Sequence, residues 1–140
     1  MEIGITGTQR GLVTLQFDNL VRWLSDLEQP IRVLHHGCCV GADEQVVEIV
    51  RAVYPDVFTI AHPPENTYKM SKIFSSVTWD PKPYLARNQD IVDCSDMLLV
   101  FPKEEHEVLR SGTWATYRRA VKKKIPITIF TPTSINKICY

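Results

Sequence analysis

The 140-residue chain is long enough to bury a hydrophobic core without disulfide or metal support, which predicts one domain over residues 1–140. Sixteen basic and sixteen acidic residues cancel, so no overall charge attracts the protein to nucleic acid or to an anionic membrane. The four cysteines include no CxxC pair, which predicts reduced thiols and no structural metal; the sequence indicates no separate cofactor either. The first residues lack the pattern of a signal peptide, and no apolar run has membrane length, so we expect a cytoplasmic protein with no membrane partner.

Hydrophobic periodicity predicts five strands and four helices in alternation. In chain order they are a strand at 2–6, a helix over 12–27, a strand at 31–36, a helix that includes 46–53, a strand at 57–62, a helix over 84–96, a strand at 97–101, a helix over 112–124 and a strand at 127–130. Alternation of this kind implies right-handed crossovers. It predicts an α/β fold with a Rossmann-like, doubly wound parallel sheet of about five strands and helices on both faces.

Three stretches are expected to be irregular: residues 62–83, residues 102–111 and the last ten residues. The first is too long for an ordinary connection, which predicts a lid, a binding loop or an arm that reaches a second subunit. It contains Tyr68, Phe74 and Trp79, and exposed aromatic residues favour interfaces, so we expect a homodimer or higher homo-oligomer. The alternative is that these side chains fold back over the ligand crevice.

Glycine-bearing turns follow three of the predicted strands. The carboxyl ends of parallel strands share one edge of the sheet, and the helices that begin there direct free N–H groups and a positive dipole end into the crevice. Three such turns on one edge predict a phosphate site. Their candidate residues are Gly7, Thr8, Arg10, Gly37, Gly41, Asp43, Ser111, Gly112, Thr113 and Thr116.

Several of these side chains have a structural alternative. Asp43 is either the N-cap of the second helix or a partner for a ribose hydroxyl, and Thr113 either caps the fourth helix or helps to bind phosphate. Arg87, on the first turn of the third helix, is placed to bind a phosphate through two hydrogen bonds. His35 and His36 point to opposite faces of a strand, and we expect both to be hydrogen-bonded packing residues.

Four segments together, "HGCCVGAD", "AHPP", "YLARNQDIVDCSDMLLVF" and "SGTWATYRRAVKKKIPITIF", resemble the SLOG superfamily. That group of Rossmann-like proteins includes DNA-processing proteins and the "lonely guy" phosphoribohydrolases, and many members form dimers. The resemblance implies a nucleotide or a nucleotide-derived ligand at the carboxyl edge of the sheet. It assigns to the site the matching residues Gly37, Gly41, Asp43, Arg87, Asn88, Gly112, Thr113 and Thr116.

The chain departs from the phosphoribohydrolase pattern at one position. Those enzymes carry PGGxGTxxE, and Thr116 stands where the glutamate that assists glycosidic cleavage would be. A hydroxyl cannot replace a carboxylate that stabilises an oxocarbenium-like centre or activates water. The departure affects catalysis rather than binding.

Three functions remain, in order of preference. The first is a sensor or sequestering protein for a nucleotide-derived ligand. The second is a nucleoside 5′-monophosphate N-glycosidase that takes its carboxylate from elsewhere, with Asp43, Asp90, Glu65 and Asp80 as candidates. The third is a single-stranded DNA binder, which the balanced charge and the lack of a basic stripe disfavour.

Overall fold

The computed structural model describes residues 1–140. Seven strands and four α-helices follow one another as β1 (Glu2–Gly7), α1 (Thr14–Ser25), β2 (Val33–His36), α2 (Ala42–Val53), β3 (Phe58–Ala61), β4 (Val77–Thr78), α3 (Tyr84–Cys94), β5 (Met97–Phe101), α4 (Gly112–Lys123), β6 (Ile127–Phe130) and β7 (Ile135–Ile138). All five predicted strands and all four predicted helices are present, with bounds that differ by a few residues. None of the helices is both long enough and apolar enough to cross a bilayer.

All seven strands form one sheet in the order β4-β3-β2-β1-β5-β6-β7. Neighbours from β4 to β6 are parallel, whereas β7 runs antiparallel to β6. The predicted α/β fold is confirmed, but the expectation that 62–83 and the last ten residues lack strands is wrong at β4 and β7. These strands have only two and four residues, and such short segments give no periodic signal.

The strand order places a topological switch point at the centre of the sheet. From β1 the chain adds β2 and β3 on one side, and after α3 it returns to add β5 on the other side of β1. Helix α1 contacts α2, and α3 contacts α4. The loops after β1 and β5 therefore lead away from each other and leave a crevice at the carboxyl edge, where open α/β sheets bind ligands.

Strand β5 shows how the sheet separates two hydrophobic clusters. Leu98 and Val100 belong to one cluster and Leu99 and Phe101 to the other, because side chains alternate along a strand. All four are completely buried, and Phe101 stacks on Phe130 with ring centroids 4.8 Å apart. This strand, buried on both faces as predicted, supports the turn that follows it.

The two neighbouring histidines of β2 are buried and hydrogen-bonded, which confirms their predicted role in packing. His35 Nε2 is 2.9 Å from Glu2 Oε2, and His35 Nδ1 is 2.9 Å from His62 Nε2. On the other face, His36 Nε2 is 2.7 Å from Ser75 Oγ. Burial lowers the pKa of His36 to about 3 and that of His62 to about 4, so both rings are neutral near pH 7.

Candidate functional site

A cleft of about 490 Å³ opens at the carboxyl edge of the sheet, a volume in the range of small-molecule sites. Its wall is formed by the turns after β1, β2 and β5 and by the first turns of α2, α3 and α4. Most of the candidate residues lie on it: Gly7, Thr8, Arg10, Gly37, Asp43, Arg87, Asn88, Ser111, Gly112 and Thr113. Gly41 and Thr116 do not.

Backbone hydrogen bonds from Thr8 hold the three turns together. Its N–H donates to the carbonyl of Phe101 at 2.9 Å, and its carbonyl accepts from the N–H of Ala42 at 2.9 Å. A side chain on Gly7 would place Cβ 2.5 Å from Ala42 Cβ, so this glycine lets α2 approach the end of β1. The cleft wall is therefore fixed by main-chain contacts among the ends of β1 and β5 and the start of α2.

Helix α4 begins on the cleft wall with free donors. Ser111 is the N-cap, and its Oγ accepts a hydrogen bond from the N–H of Trp114 at 3.2 Å, so the alternative that Thr113 caps this helix is wrong. The N–H groups of Gly112 and Thr113 have no acceptor in the chain, as expected for the first turn of a helix. A Cβ on Gly112 would meet no atom within 4 Å, so the approach to these N–H groups is open.

Thr116 lies one turn further along α4, away from the cleft. Its side chain is buried, and its hydroxyl donates to the carbonyl of Gly112 at 3.0 Å. Threonine commonly makes this bond to the carbonyl four residues earlier. Thr116 therefore does not line the cleft, whereas Gly112 and Thr113, which the sequence motif grouped with it, do.

Arg87 lies at the floor of the cleft, where protein carbonyls accept hydrogen bonds from part of its guanidinium. Nη1 donates to the carbonyl of Gly37 and, at 3.1 Å, to that of His62, while Nε donates to Asn88 Oδ1 at 2.8 Å. A Cβ on Gly37 would lie 2.5 Å from Nη1, so the glycine makes room for the arginine. Nη2 has only the sulfur of Cys39, at 4.0 Å, as a partner. Arg87 is thus anchored by the turn after β2, and Nη2 is its least engaged donor.

Asp43 is the second residue of α2, and the N-cap is Gly41, so the N-cap alternative for Asp43 is wrong. Its Oδ2 instead accepts from the N–H groups of Gly37, at 3.1 Å, and Cys39, at 3.2 Å. Burial raises the pKa of Asp43 to about 6, although the Arg87 charge and the two backbone hydrogen bonds oppose the shift. The carboxyl group therefore holds the turn in shape and titrates near neutral pH.

The second glycine of this turn has a separate role. Gly41 has φ 89° and ψ −125°, a backbone conformation that side chains disfavour. An added Cβ would also lie 2.5 Å from the carbonyl carbon of Gln9. The two glycines of "HGCCVGAD" thus admit two close approaches, that of Arg87 at Gly37 and that of the turn after β1 at Gly41.

Sequence reasoning missed several charged residues of the cleft wall. Five cations face two carboxylates there, in a chain of zero net charge: Arg10, Lys69, Arg87, Lys103 and Arg110 against Asp43 and Glu104. Most of the missed residues lie in loops without a glycine signal or hydrophobic period. Lys103 and Arg110, at the two ends of the loop after β5, were the sequence signal that could have indicated a positive cleft. The cleft is locally positive.

Two further residues define the chemistry of the wall. Tyr84 lies under Arg87, with its ring centroid 4.9 Å from the guanidinium carbon. Cys39 also lines the cleft, but burial raises the pKa of its thiol to about 11. The thiol is therefore protonated near neutral pH and is a weak nucleophile.

The other candidate carboxylates, Asp90, Glu65 and Asp80, do not line the cleft. Asp90 pairs with Lys82, with 2.6 Å between its Oδ2 and Nζ. If a carboxylate acts on a bound ligand, the structure offers only Asp43 and Glu104, and Glu104 Oε1 already accepts from Trp114 Nε1 at 3.1 Å.

The long segment at 62–83 contributes only Lys69 to the cleft wall. Tyr68 is 84% exposed and Phe74 76% exposed, and Trp79 packs against His62 with ring centroids 4.4 Å apart and the rings tilted by 57°. None of the three aromatic residues lines the cleft, so the lid arrangement considered for them is not the one the structure adopts.

No protein-family profile matches the chain, and no curated protein sequence does. Two solved structures share its fold. The molybdenum cofactor binding protein from the phototrophic bacterium Rippkaea orientalis superposes with a TM-score of 0.68 at 20% identity, over 93% of this chain and 76% of that one. DNA processing protein A from Helicobacter pylori, described with a single-stranded DNA binding mode, superposes with a TM-score of 0.60 at 18% identity, over 92% of this chain and 64% of that one. At these identities the likeness establishes the fold.

Proposed function

We propose that the chain binds a phosphate-bearing nucleotide or nucleotide-derived small molecule in the cleft, as a sensor or sequestering protein. The phosphate is bound by the free N–H groups of Gly112 and Thr113. One observation supports this most strongly: a chain of zero net charge concentrates five cations against two carboxylates on the wall of one cleft, and that wall includes the start of a twelve-residue helix.

Helix geometry supplies the first part of the argument. The unpaired N–H groups and the positive dipole end of α4 favour an anion at its start. Arg110 directly precedes the N-cap, and Lys103 lies on the same loop, so both cations border this end of the cleft. Arginine suits phosphate because its planar N–H groups match two phosphate oxygens.

We also propose that the chain belongs to the SLOG superfamily. The ordered set of motifs supports this, and so does a shared fold with a DNA processing protein, one of the kinds of protein that the superfamily contains. The other structural neighbour is described as a cofactor-binding protein, which fits a small-molecule ligand.

The two alternative functions have weaker support from the cleft. Glycosidic cleavage needs a carboxylate at the anomeric carbon, and Thr116 stands where the phosphoribohydrolases carry theirs. Asp43 has only Oδ1 free, because its Oδ2 accepts from two N–H groups. Single-stranded DNA binding uses a positively charged groove with several stacking aromatic residues. Here the cations line one cleft of about 490 Å³, and Tyr84 is its one aromatic residue. A small-molecule ligand fits this arrangement better.

Calorimetric titration with the four nucleoside monophosphates, pyrophosphate, inorganic phosphate and a thymidine oligonucleotide tests the proposal. Mass spectrometry of ligands extracted from the purified protein provides an independent identification. We expect Arg110→Ala to weaken nucleotide binding and Thr113→Leu to abolish it. Lys122→Ala, which removes a cation from the far end of the same helix, is the matched control and should bind as the parent does. Absence of binding, or equal affinity in Lys122→Ala and Arg110→Ala, would contradict the proposal.

We further propose that the protein self-associates through the 62–83 segment, because Tyr68 and Phe74 are large, exposed and close in sequence. Sedimentation velocity of the parent protein and of a Tyr68→Ser, Phe74→Ser variant tests this. A monomeric parent at micromolar concentration would rule it out. The four cysteines are free, which fits the reducing cytoplasm that we propose as the compartment.

A further inference from the structure

Three buried polar side chains lie together on the cleft wall beside the turn after β2. Asp43, Arg87 and Asn88 are only 6%, 4% and 5% exposed, yet all three line the cleft. Each has one polar atom without a close hydrogen-bond partner in the chain: Asp43 Oδ1, Asn88 Nδ2 and Arg87 Nη2, whose hydrogen-bond partner is the Cys39 sulfur at 4.0 Å. We call these three side chains the polar subsite.

The unpaired atoms of the polar subsite face the cleft rather than the protein interior. Only His62 Nδ1 and Arg119 Nε are side-chain polar atoms that are fully enclosed and unpaired, so Asp43 Oδ1 and Asn88 Nδ2 are open to the cleft. The orientation of the Asn88 amide follows from its neighbour. Because Arg87 Nε donates to Asn88 Oδ1 at 2.8 Å, the NH₂ group is the part left free.

This arrangement places one strong acceptor beside two donors. A hydroxyl group both donates and accepts, and two neighbouring hydroxyls satisfy a carboxylate oxygen and an amide N–H together. A carboxyl group is costly to bury unless it has a hydrogen-bonding role. At Asp43, Oδ2 shapes the turn, and Oδ1 is left for a ligand.

The position of the polar subsite relative to α4 suits one ligand that reaches both. β2 and β5 lie on either side of β1, and neighbouring strands are about 4.8 Å apart, so the turns after β2 and β5 are separated by roughly 10 Å. A nucleotide with its phosphate at α4 extends its sugar across the end of β1 toward Asp43.

Building on the proposed function, we propose that Asp43 and Asn88 bind the vicinal 2′- and 3′-hydroxyls of a ribose. The ligand is then a ribonucleotide or a derivative that keeps both hydroxyls, and deoxyribonucleotides bind more weakly. Arg87 positions Asn88 and supplies Nη2 to the same sugar. The main competing assignment is that the polar subsite contacts the edge of a base.

Calorimetric titration of the intact protein with ribonucleoside 5′-monophosphates and their 2′-deoxy and 3′-deoxy counterparts tests the inference. Hydrogen bonds that involve a charged group are strong, so loss of one hydroxyl should weaken binding about 10- to 100-fold. In Asn88→Ala and Asp43→Asn that difference should shrink, because the ribonucleotide loses affinity and the deoxyribonucleotide does not. Gly112→Ala, at the phosphate end, should weaken both series by the same factor.

The possible outcomes separate the inference from the proposed function. If ribo- and deoxyribonucleotides bind equally well, the inference is wrong and the nucleotide site stands. Discrimination among bases without discrimination between sugars also overturns it, in favour of base recognition. If neither series binds, the proposed function fails and the inference fails with it. Should Asp43→Asn not fold, the parent protein with the three sugar series and Asn88→Ala still decide the question.

Discussion

Replacement of Gly41 by alanine should destabilise the protein severely, although the change adds only one methyl group to a half-buried turn. At φ 89° and ψ −125° a side chain is strained, and strain of this kind costs roughly 1–3 kcal/mol. The new Cβ would also lie 2.5 Å from the Gln9 carbonyl carbon and 2.7 Å from Gln9 Cα. Backbone atoms cannot rotate away as a side chain does, and overpacking costs about 1–3 kcal/mol more.

The two contributions sum to a loss of roughly 2–6 kcal/mol, from a total stability of about 5–15 kcal/mol for an ordinary domain. For a chain of this size, the melting temperature should fall by roughly 5 to 20 °C. Gly112→Ala is the matched control, since its Cβ would meet no atom within 4 Å. Its effect should lie between no change and a gain of about 1 kcal/mol.

Urea unfolding followed by circular dichroism measures the free energy of unfolding of the parent, Gly41→Ala and Gly112→Ala proteins. The dependence of that free energy on urea concentration is compared among the three proteins as well. A Gly41→Ala protein within about 0.5 kcal/mol of the parent would refute the reasoning, because surface changes without a special mechanism have that size. Equal losses in Gly41→Ala and Gly112→Ala would also refute it, since loss of a glycine would then matter more than its position.

Three further predictions concern the cleft and its surroundings. Gly37→Ala should push the guanidinium of Arg87 out of its place and weaken nucleotide binding at least tenfold, which calorimetry measures; unchanged affinity would show that Arg87 is dispensable. Between about pH 4 and 6, the free energy of unfolding should rise with pH by about 1.4 kcal/mol per pH unit. In this range the lowered pKa values of His36 and His62 make the unfolded chain bind two more protons than the folded chain. The raised pKa of Asp43 offsets one of them, because the folded chain binds that proton and the unfolded chain does not. For His36→Asn, the free energy of unfolding measured with urea should then hardly change with pH in that range. If it changes with pH as it does in the parent protein, His36 is not held neutral. Incubation with nucleoside monophosphates should release no free base by chromatography; release that disappears in Asp43→Asn would make the protein a glycosidase.

The central strands and the three glycine turns were predictable because each depends on local sequence. In an alternating α/β chain, a short apolar run such as "MLLVF" predicts a buried strand, and β5 forms where expected. The two-residue β4 and the four-residue β7 were not predictable, since each forms only because a neighbouring edge strand is available. Local sequence left the role of Asp43 open between an N-cap and a ribose partner, and it did not predict that the carboxyl group binds N–H groups of the preceding turn.

The charge of the site was the part least accessible from sequence. Lys69 and Lys103 are separated by 34 residues, and only the folded chain brings them to one wall. Arg87 was placed at the cleft correctly, but its carbonyl partners depend on His62 and Gly37, which lie on other elements. Contacts between distant segments have no signature in a single sequence.

The central position of β1 has a consequence for how the chain folds as it is synthesised. Its pairing with β2 joins nearby segments, but its pairing with β5 joins Ile3 to Met97, and the adjoining bond from Glu2 to Asp96 spans 94 residues. Closing so long a loop is slow, and non-local parallel pairing lengthens folding times. Until β5 emerges from the ribosome, the backbone N–H and C=O groups on one edge of β1 have no partner strand, and the side chains of Ile3 and Ile5 are only partly buried. During that interval the half-made sheet is able to pair with other chains, so we expect chaperone contact with the nascent protein to centre on β1.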